Sequence, residues 1–149
     1  MRSVVQRVEK AFIFIGEKEI PRINRGLLVF LGVEKGDREP DADYLSEKIV
    51  HLRIFDDREG KMNCSLLDIK GEILVVSQFT LLGDCRKGRR PSFTAADDPV
   101  PAKKLYEYFI QKTRERTDHV AQGEFQALMS VHLVNDGPVT MLLDSKKLF

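Results

Sequence analysis

Between Ser3 and Val8, the residues Val4, Val5 and Val8 stand among polar neighbours, a pattern that predicts a β-strand. Ala11-Phe12-Ile13-Phe14-Ile15 follows as a second extended segment, and Gly16-Glu17-Lys18 then marks a turn. Glu19 to Ile23 reads as the return strand of a hairpin. Gly26 to Gly32 is continuously apolar, which suits a strand buried on both faces. Pro40 predicts the start of a helix, with Asp41 and Asp43 where the helix dipole favours negative charge. Ala42, Leu45, Ile49 and Leu52 recur at helical spacing and give it one apolar stripe.

Further along, Arg58-Glu59-Gly60-Lys61 reads as a turn, and Glu72 to Val76 as another buried strand that runs straight into Ser77. Pro101 predicts a second helix whose apolar face carries Ala102, Leu105, Tyr106, Phe109, Ile110 and Thr113. Two apolar segments close the chain, Leu128 to Val134 and Val139 to Leu143, joined by Asn135-Asp136-Gly137-Pro138. With no repeat and no linker, residues 1–149 predict one α+β domain, mostly antiparallel sheet with two helices packed on it.

Composition narrows the function classes. A hydrophobic share of 42% with 32% charged residues describes an ordinary globular chain. The formal net charge is only +1, so nucleic-acid binding has to come from a local patch. Cys64 and Cys85, without a CxxC pairing, suggest neither a disulfide framework nor a zinc site. The charged N-terminus lacks a signal peptide's apolar core, and Leu27 to Gly32 is too short to span a bilayer. The expectation is a cytoplasmic protein with no membrane partner.

Three segments could carry chemistry. Ser77-Gln78-Phe79-Thr80-Leu81 ends a greasy strand abruptly in hydroxyls, an amide and strand-end N–H groups. Such donors suit the oxyanion of an acyl transfer, although polar side chains capping loose backbone are the plainer reading. Asn135-Asp136-Gly137-Pro138-Val139-Thr140 is either an ordinary turn or a place where bare backbone approaches a ligand. Arg86-Lys87-Gly88-Arg89-Arg90-Pro91 holds four cations in five residues on a loop, a phosphate contact or a solvated surface. His51, His119 and His132 show neither metal spacing nor a nucleophile elbow, so no metal and no serine-hydrolase triad is expected. P-loop and Rossmann glycine patterns are absent, and no cofactor is expected.

Taken together, the Ser77–Leu81 and Asn135–Thr140 segments resemble the paired signatures of the D-aminoacyl-tRNA deacylase family. Val4 to Val8, Gly26 to Gly36, Leu52 to Phe55 and Arg86 to Phe93 are also similar and stand in the same order, so the resemblance covers essentially the whole chain. It implies the deacylase fold with a barrel-like core. It also implies an editing hydrolase that cleaves the ester of D-aminoacyl-tRNA, and of glycyl-tRNA mischarged on tRNA(Ala), while sparing L-aminoacyl-tRNA. The implied assembly is a homodimer with each site at the subunit interface. Its partners are the tRNA acceptor end and no DNA.

By the same resemblance Ser77, Gln78, Phe79 and Thr80 hold the aminoacyl ester, with backbone-donor roles for Ser77, Gln78 and Phe79. Gly137-Pro138 is expected to be cis and to enter the partner's site, where its carbonyls leave no room for an L side chain. Asn135 belongs to that motif, Arg7 braces it, and Phe125 and Met129 line the terminal adenosine's pocket. Arg86, Lys87, Arg89 and Arg90 meet acceptor-stem phosphates. Without a base near Thr80, water assisted by the RNA's own 2′-hydroxyl is the expected nucleophile, with Thr80 as its alternative. Two departures from relatives stand out: Leu82-Gly83 after the first motif, and Met141 after the second, where it is expected to reshape a pocket wall. The rival readings are a non-catalytic tRNA-binding module, an esterase acting through Cys85, and editing of L-aminoacyl-tRNA.

Overall fold

The computed structural model describes the backbone of residues 1–149 and every side chain except those of Ile20 and Pro21. In chain order the elements are β1 (Arg2–Ile15), β2 (Lys18–Ile23), β3 (Gly26–Gly32), α1 (Glu39–Val50), β4 (Phe55–Asp56) and β5 (Met62–Cys64). They continue with β6 (Glu72–Ser77), a 3₁₀ turn (Phe79–Leu82), α2 (Pro99–Arg114), β7 (Val120–Gln122) and β8 (Ser130–Asp144). The main sheet runs β2-β1-β3-β6-β7, with β8 on the other edge of β1. Strand β2 comes round against β6 and β7, so the sheet curls. The fold is α+β.

The antiparallel expectation holds where β1 meets β2, β3 and β8. It fails for β3 with β6 and for β6 with β7, which are parallel. Each parallel pair is joined through a helix, α1 and then α2, because parallel neighbours need a long crossover. Both strands of the β3–β6 pair are covered on both faces, which is why their sequences read as unbroken apolar runs. Leu27, Val29, Ile73 and Val75 face the helices with Leu45, Ile49 and Phe109. Leu28, Leu74 and Val76 pack on the opposite side with Val8 and Ile13.

Several boundaries differ from the pattern. The first two apolar segments are one continuous strand, β1. The second helix begins at Pro99 rather than Pro101: Asp98 is extended, as a residue before proline prefers, and its carbonyl accepts the Ala102 N–H at 3.0 Å. Both prolines therefore fall in the first turn, where no intrahelical N–H is lost. The last two apolar segments form one strand, β8, despite the Gly-Pro pair between them. At the end of α1, Leu52 falls beyond the helix but still packs on the core. Among the described residues, no helix is long and apolar enough to cross a membrane.

Tyr106 joins α2 to the sheet beneath the future site. Its buried hydroxyl donates to the carbonyls of Val75 at 2.9 Å and Gly123 at 3.3 Å. Burial pushes the phenol above its ordinary range, so it stays a neutral donor at any working pH. Tyr106→Phe is expected to cost about 1 kcal/mol of stability. Thermal denaturation should then show a Tm lower by roughly 2–4 °C. An unchanged Tm would mean that the hydroxyl contributes nothing net.

Candidate functional site

Strand β6 delivers Ser77 at its C-terminal end, and the chain turns at once into the 3₁₀ segment. The Gln78 N–H donates to the Leu31 carbonyl at 2.8 Å, and the Gln78 carbonyl accepts the Leu81 N–H at 3.3 Å. The first N–H groups of a helix have no partner inside it. Those of Phe79 and Thr80 meet no backbone acceptor among the described residues, so two donors stand open at the end of a buried strand. Gln78, expected to share the backbone-donor role, does not, because β3 holds its N–H. Its side-chain Nε2 instead donates to Thr80 Oγ1. Gly32 makes the close packing possible: a Cβ there would lie 2.5 Å from Leu82 Cδ2 and 2.9 Å from the Gln78 carbonyl.

A cavity of about 650 Å³ opens beside this turn. Ser77, Gln78 and Phe79 line one part of it, and Phe125 and Met129 another, so these five expected site residues share one space. Thr80 is exposed next to it. Ala102 and Asp97 also line the cavity, and neither was singled out by the sequence for the site. Ala102 reads there as one more residue of a helical stripe, and Asp97 as a loop carboxylate.

The second motif is built differently. Val8 pairs with Asn135 and Gln6 with Thr140, so Asp136 to Val139 bulge out where β1 has only Arg7. The Gly137–Pro138 bond is cis, Gly137 holds φ at 120°, and both residues are exposed. Asn135 Oδ1 accepts the Val139 N–H at 3.3 Å across the turn. Beneath it lies Arg7, only 5% exposed. Its Nη1 donates to the Ile54 carbonyl at 2.7 Å, and its Nε to the Asp136 carbonyl at 3.3 Å. The same guanidinium pairs with the carboxylates of Asp136 at 3.1 Å and Asp56 at 3.5 Å.

Within one chain the two motifs do not meet. Ser77 stands level with Leu31, Ser3 and Leu143 on successive strands, whereas the bulge lies opposite Arg7, four residues further along β1. Strand spacing and rise put them on the order of 15–20 Å apart. Neither Gly137 nor Pro138 lines the cavity.

The basic loop is less cationic than its composition. Arg86 donates Nε and Nη2 to the two carboxylate oxygens of Asp84 at 2.9 and 2.7 Å, which holds that carboxyl well below its ordinary range. Lys87, Arg89 and Arg90 are exposed and, among the described residues, without an ion pair. His51, His119 and His132 lie outside the cavity, and Cys85 is exposed near the loop. Gly83 has a steric reason: a Cβ there would meet the Phe93 ring at 2.9 Å. Met141 is no pocket wall in this chain; it pairs with Val5 and packs on the helix-side core.

The family model described as D-Tyr-tRNA(Tyr) deacylase matches residues 4–144. The chain is 64% identical to the D-aminoacyl-tRNA deacylase of Syntrophus aciditrophicus strain SB, with both chains covered completely. It is 59% identical to the D-aminoacyl-tRNA deacylase of Thermotoga petrophila, again over both full lengths. Among solved structures it resembles one described as c-Myc DNA Unwinding Element Binding Protein at a TM-score of 0.92 and 39% identity, covering 97% of this chain and 98% of that one. A probable eukaryotic D-amino acid tRNA deacylase shares the fold at a TM-score of 0.82 and 19% identity, over 96% of this chain and 98% of the other.

Removing the brace should loosen the bulge. Arg7→Ala leaves the buried Ile54 carbonyl without its donor and two part-exposed carboxylates without their cation, and is expected to cost about 2 kcal/mol. Thermal denaturation should show a Tm lower by roughly 4–8 °C. Arg7→Lys, a single ammonium in place of a fork, should recover only part of it. A wild-type Tm in Arg7→Ala would show that the bulge holds itself.

Proposed function

The chain belongs to the D-Tyr-tRNA(Tyr) deacylase family and hydrolyses the ester bond of D-aminoacyl-tRNA; from that premise we propose how its residues divide the work. The aminoacyl ester lies over the Phe79–Leu82 turn, with the terminal nucleoside in the cavity beside Phe125 and Met129. Water attacks the carbonyl carbon, and the proton it sheds is taken up through the ribose 2′-hydroxyl. The N–H groups of Phe79 and Thr80 hold the resulting oxyanion. Losing one such donor typically costs about 10²–10³ in rate. Collapse breaks the bond to the 3′-oxygen, which leaves with a proton as the free hydroxyl of tRNA.

The observation that carries this reading is the pair of unpaired N–H groups at the rim of a mostly apolar cavity. Positioning plus fixed donors is adequate for an ester already activated by its neighbouring hydroxyl. Thr80 as nucleophile lacks support: its hydroxyl is paired with an amide, and no histidine or lysine lines the cavity.

Selectivity for the D configuration needs a wall near the Cα, and this chain's own Gly137–Pro138 turn is too far away to supply it. The reading therefore takes the turn from a second copy, in a homodimer with a site at each interface. Bare apolar surface around the cavity mouth supports this, with Leu128 93% and Phe79 57% exposed. Because the wall is backbone, it ignores which D side chain is present and admits achiral glycine on mischarged tRNA. Lys87, Arg89 and Arg90, and Arg86 through its hydrogens not taken by Asp84, steady the acceptor stem through phosphates. On this reading the enzyme works in the cytoplasm, on charged tRNA and without DNA or membrane.

Deacylation of D-tyrosyl-tRNA beside L-tyrosyl-tRNA tests the reading. The D ester should disappear rapidly while the L ester survives. Gly137→Ala, whose Cβ would meet Val139 Cγ2 at 2.8 Å with φ at 120°, should narrow the ratio of the two rates. We expect the narrowing to be at least tenfold, about what one misfitting contact costs. Equal cleavage of both esters by the wild type would sink the stereochemical account, and survival of both would sink the site assignment.

A further inference from the structure

Among the described residues one ionisable side chain lines the cavity, and it is a carboxylate. Asp97 stands there among apolar side chains and the polar Ser77, Gln78 and Gln126, with no lysine, arginine or histidine. Its backbone is fixed. The Asp97 N–H donates to the Val33 carbonyl at 3.0 Å, and Lys35 N–H to the Ala95 carbonyl at 2.9 Å. Glu34 and Ala96 form a bridge between the same two segments. Asp97 Oδ1 accepts the Asp98 N–H at 2.9 Å, whereas Oδ2 has no partner among the described residues. A carboxylate with spare acceptor capacity in an apolar cavity requires a donor once ligand displaces water.

Its position selects which donor. Gln78 and Asp97 are bound through their N–H groups to the carbonyls of Leu31 and Val33. Those carbonyls are two residues apart on one extended segment, so the two backbones stand about 7 Å apart. The ester carbonyl belongs at Phe79 and Thr80, just past Gln78. The α-ammonium, on the carbon attached to that carbonyl, stays beside the oxyanion donors at the cavity's rim. The nucleobase lies across the ribose, inside the cavity that Asp97 lines. Resting on the reading of the turn as the ester's seat, we propose that Asp97 is a specificity-determining residue that accepts a hydrogen bond from the exocyclic amine of the terminal adenine. Carboxylates accept from base amines in the same way in nucleic-acid readout. A base with a carbonyl at that position would be repelled.

Two non-hydrolysable probes test this: 3′-deoxy-3′-(D-tyrosylamino)adenosine, and its purine counterpart lacking only the exocyclic amine. The wild-type enzyme should bind the adenosine probe at least about tenfold more tightly, as expected for a hydrogen bond to a charged acceptor. Asp97→Ala should abolish that ratio while binding the purine probe as the wild type does, which also shows its cavity to be intact. Asp97→Asn keeps one acceptor oxygen and should retain part of the ratio. An unchanged ratio in Asp97→Ala overturns the proposal, and so does an equal loss for both probes, which would point the carboxylate at the aminoacyl end. If neither probe binds the wild type, the cavity is not the nucleoside's seat, and the underlying reading falls together with this inference.

Discussion

A buried guanidinium cannot be left unpaired, and in this fold that requirement shapes the second half of the molecule. Arg7 sits on β1 where β8 carries four residues against its one. Its acceptors come from three places: the Ile54 carbonyl just before β4, Asp56 within it, and Asp136 in the bulge. The charge therefore ties the long β1–β8 ribbon to the small hairpin and fixes the bulge between two well-paired stretches of strand. Removing an acceptor leaves the buried guanidinium short of a partner, and removing the guanidinium leaves the buried Ile54 carbonyl without a donor. Its consequence is geometric. The Gly137–Pro138 turn is presented outward from a rigid strand, not draped as a loose loop.

The other constraint is burial of β3 and β6 on both faces. A parallel pair enclosed in this way ends where the apolar run ends, and the chain must leave the sheet immediately. Gly32 lets it leave by a tight turn against β3, and the turn's first N–H groups are left without partners. An opening beside the C-terminal end of a buried parallel strand is where α/β sheets commonly bind ligands. No side-chain nucleophile is needed for the chemistry proposed there. The burden falls on position, and position is what the packing of Leu82 and Gln78 on Gly32 supplies.

Much of this was legible in the residues. Unbroken apolar runs marked β3 and β6, and the prolines marked both helix starts to within two residues. The Ser77 and Gly137 segments, by contrast, each read alone as an ordinary strand end and turn, and drew notice only through their joint resemblance to the deacylase signatures. What escaped the pattern depends on long-range pairing. Periodicity cannot tell that two apolar segments on either side of Gly-Pro are one strand, because the register comes from β1. Nor can it tell that the Gln78 N–H is spent on Leu31 while those of Phe79 and Thr80 are not. Asp97 looks like any loop acid until Val33 holds it over the cavity. Arg86 counts as a cation in composition, yet the neighbouring Asp84 carboxylate offsets its charge.

The central claim is that the cavity of one chain works with the turn of another, and mixing two disabled proteins tests it most directly. Phe79→Pro deletes one oxyanion donor, and Gly137→Val puts a branched side chain at a φ of 120° that it cannot hold. Phe79→Pro alone should be nearly inactive on D-tyrosyl-tRNA for want of the donor, and Gly137→Val alone because its branched side chain, carried on the turn into the partner's site, fills the place of the D ester. After unfolding and refolding together, half of the dimers contain one of each, and every such dimer has one intact site. Recovery to about a quarter of wild-type activity is then expected for a two-fold assembly. No recovery, with both proteins folded and paired, would contradict the account.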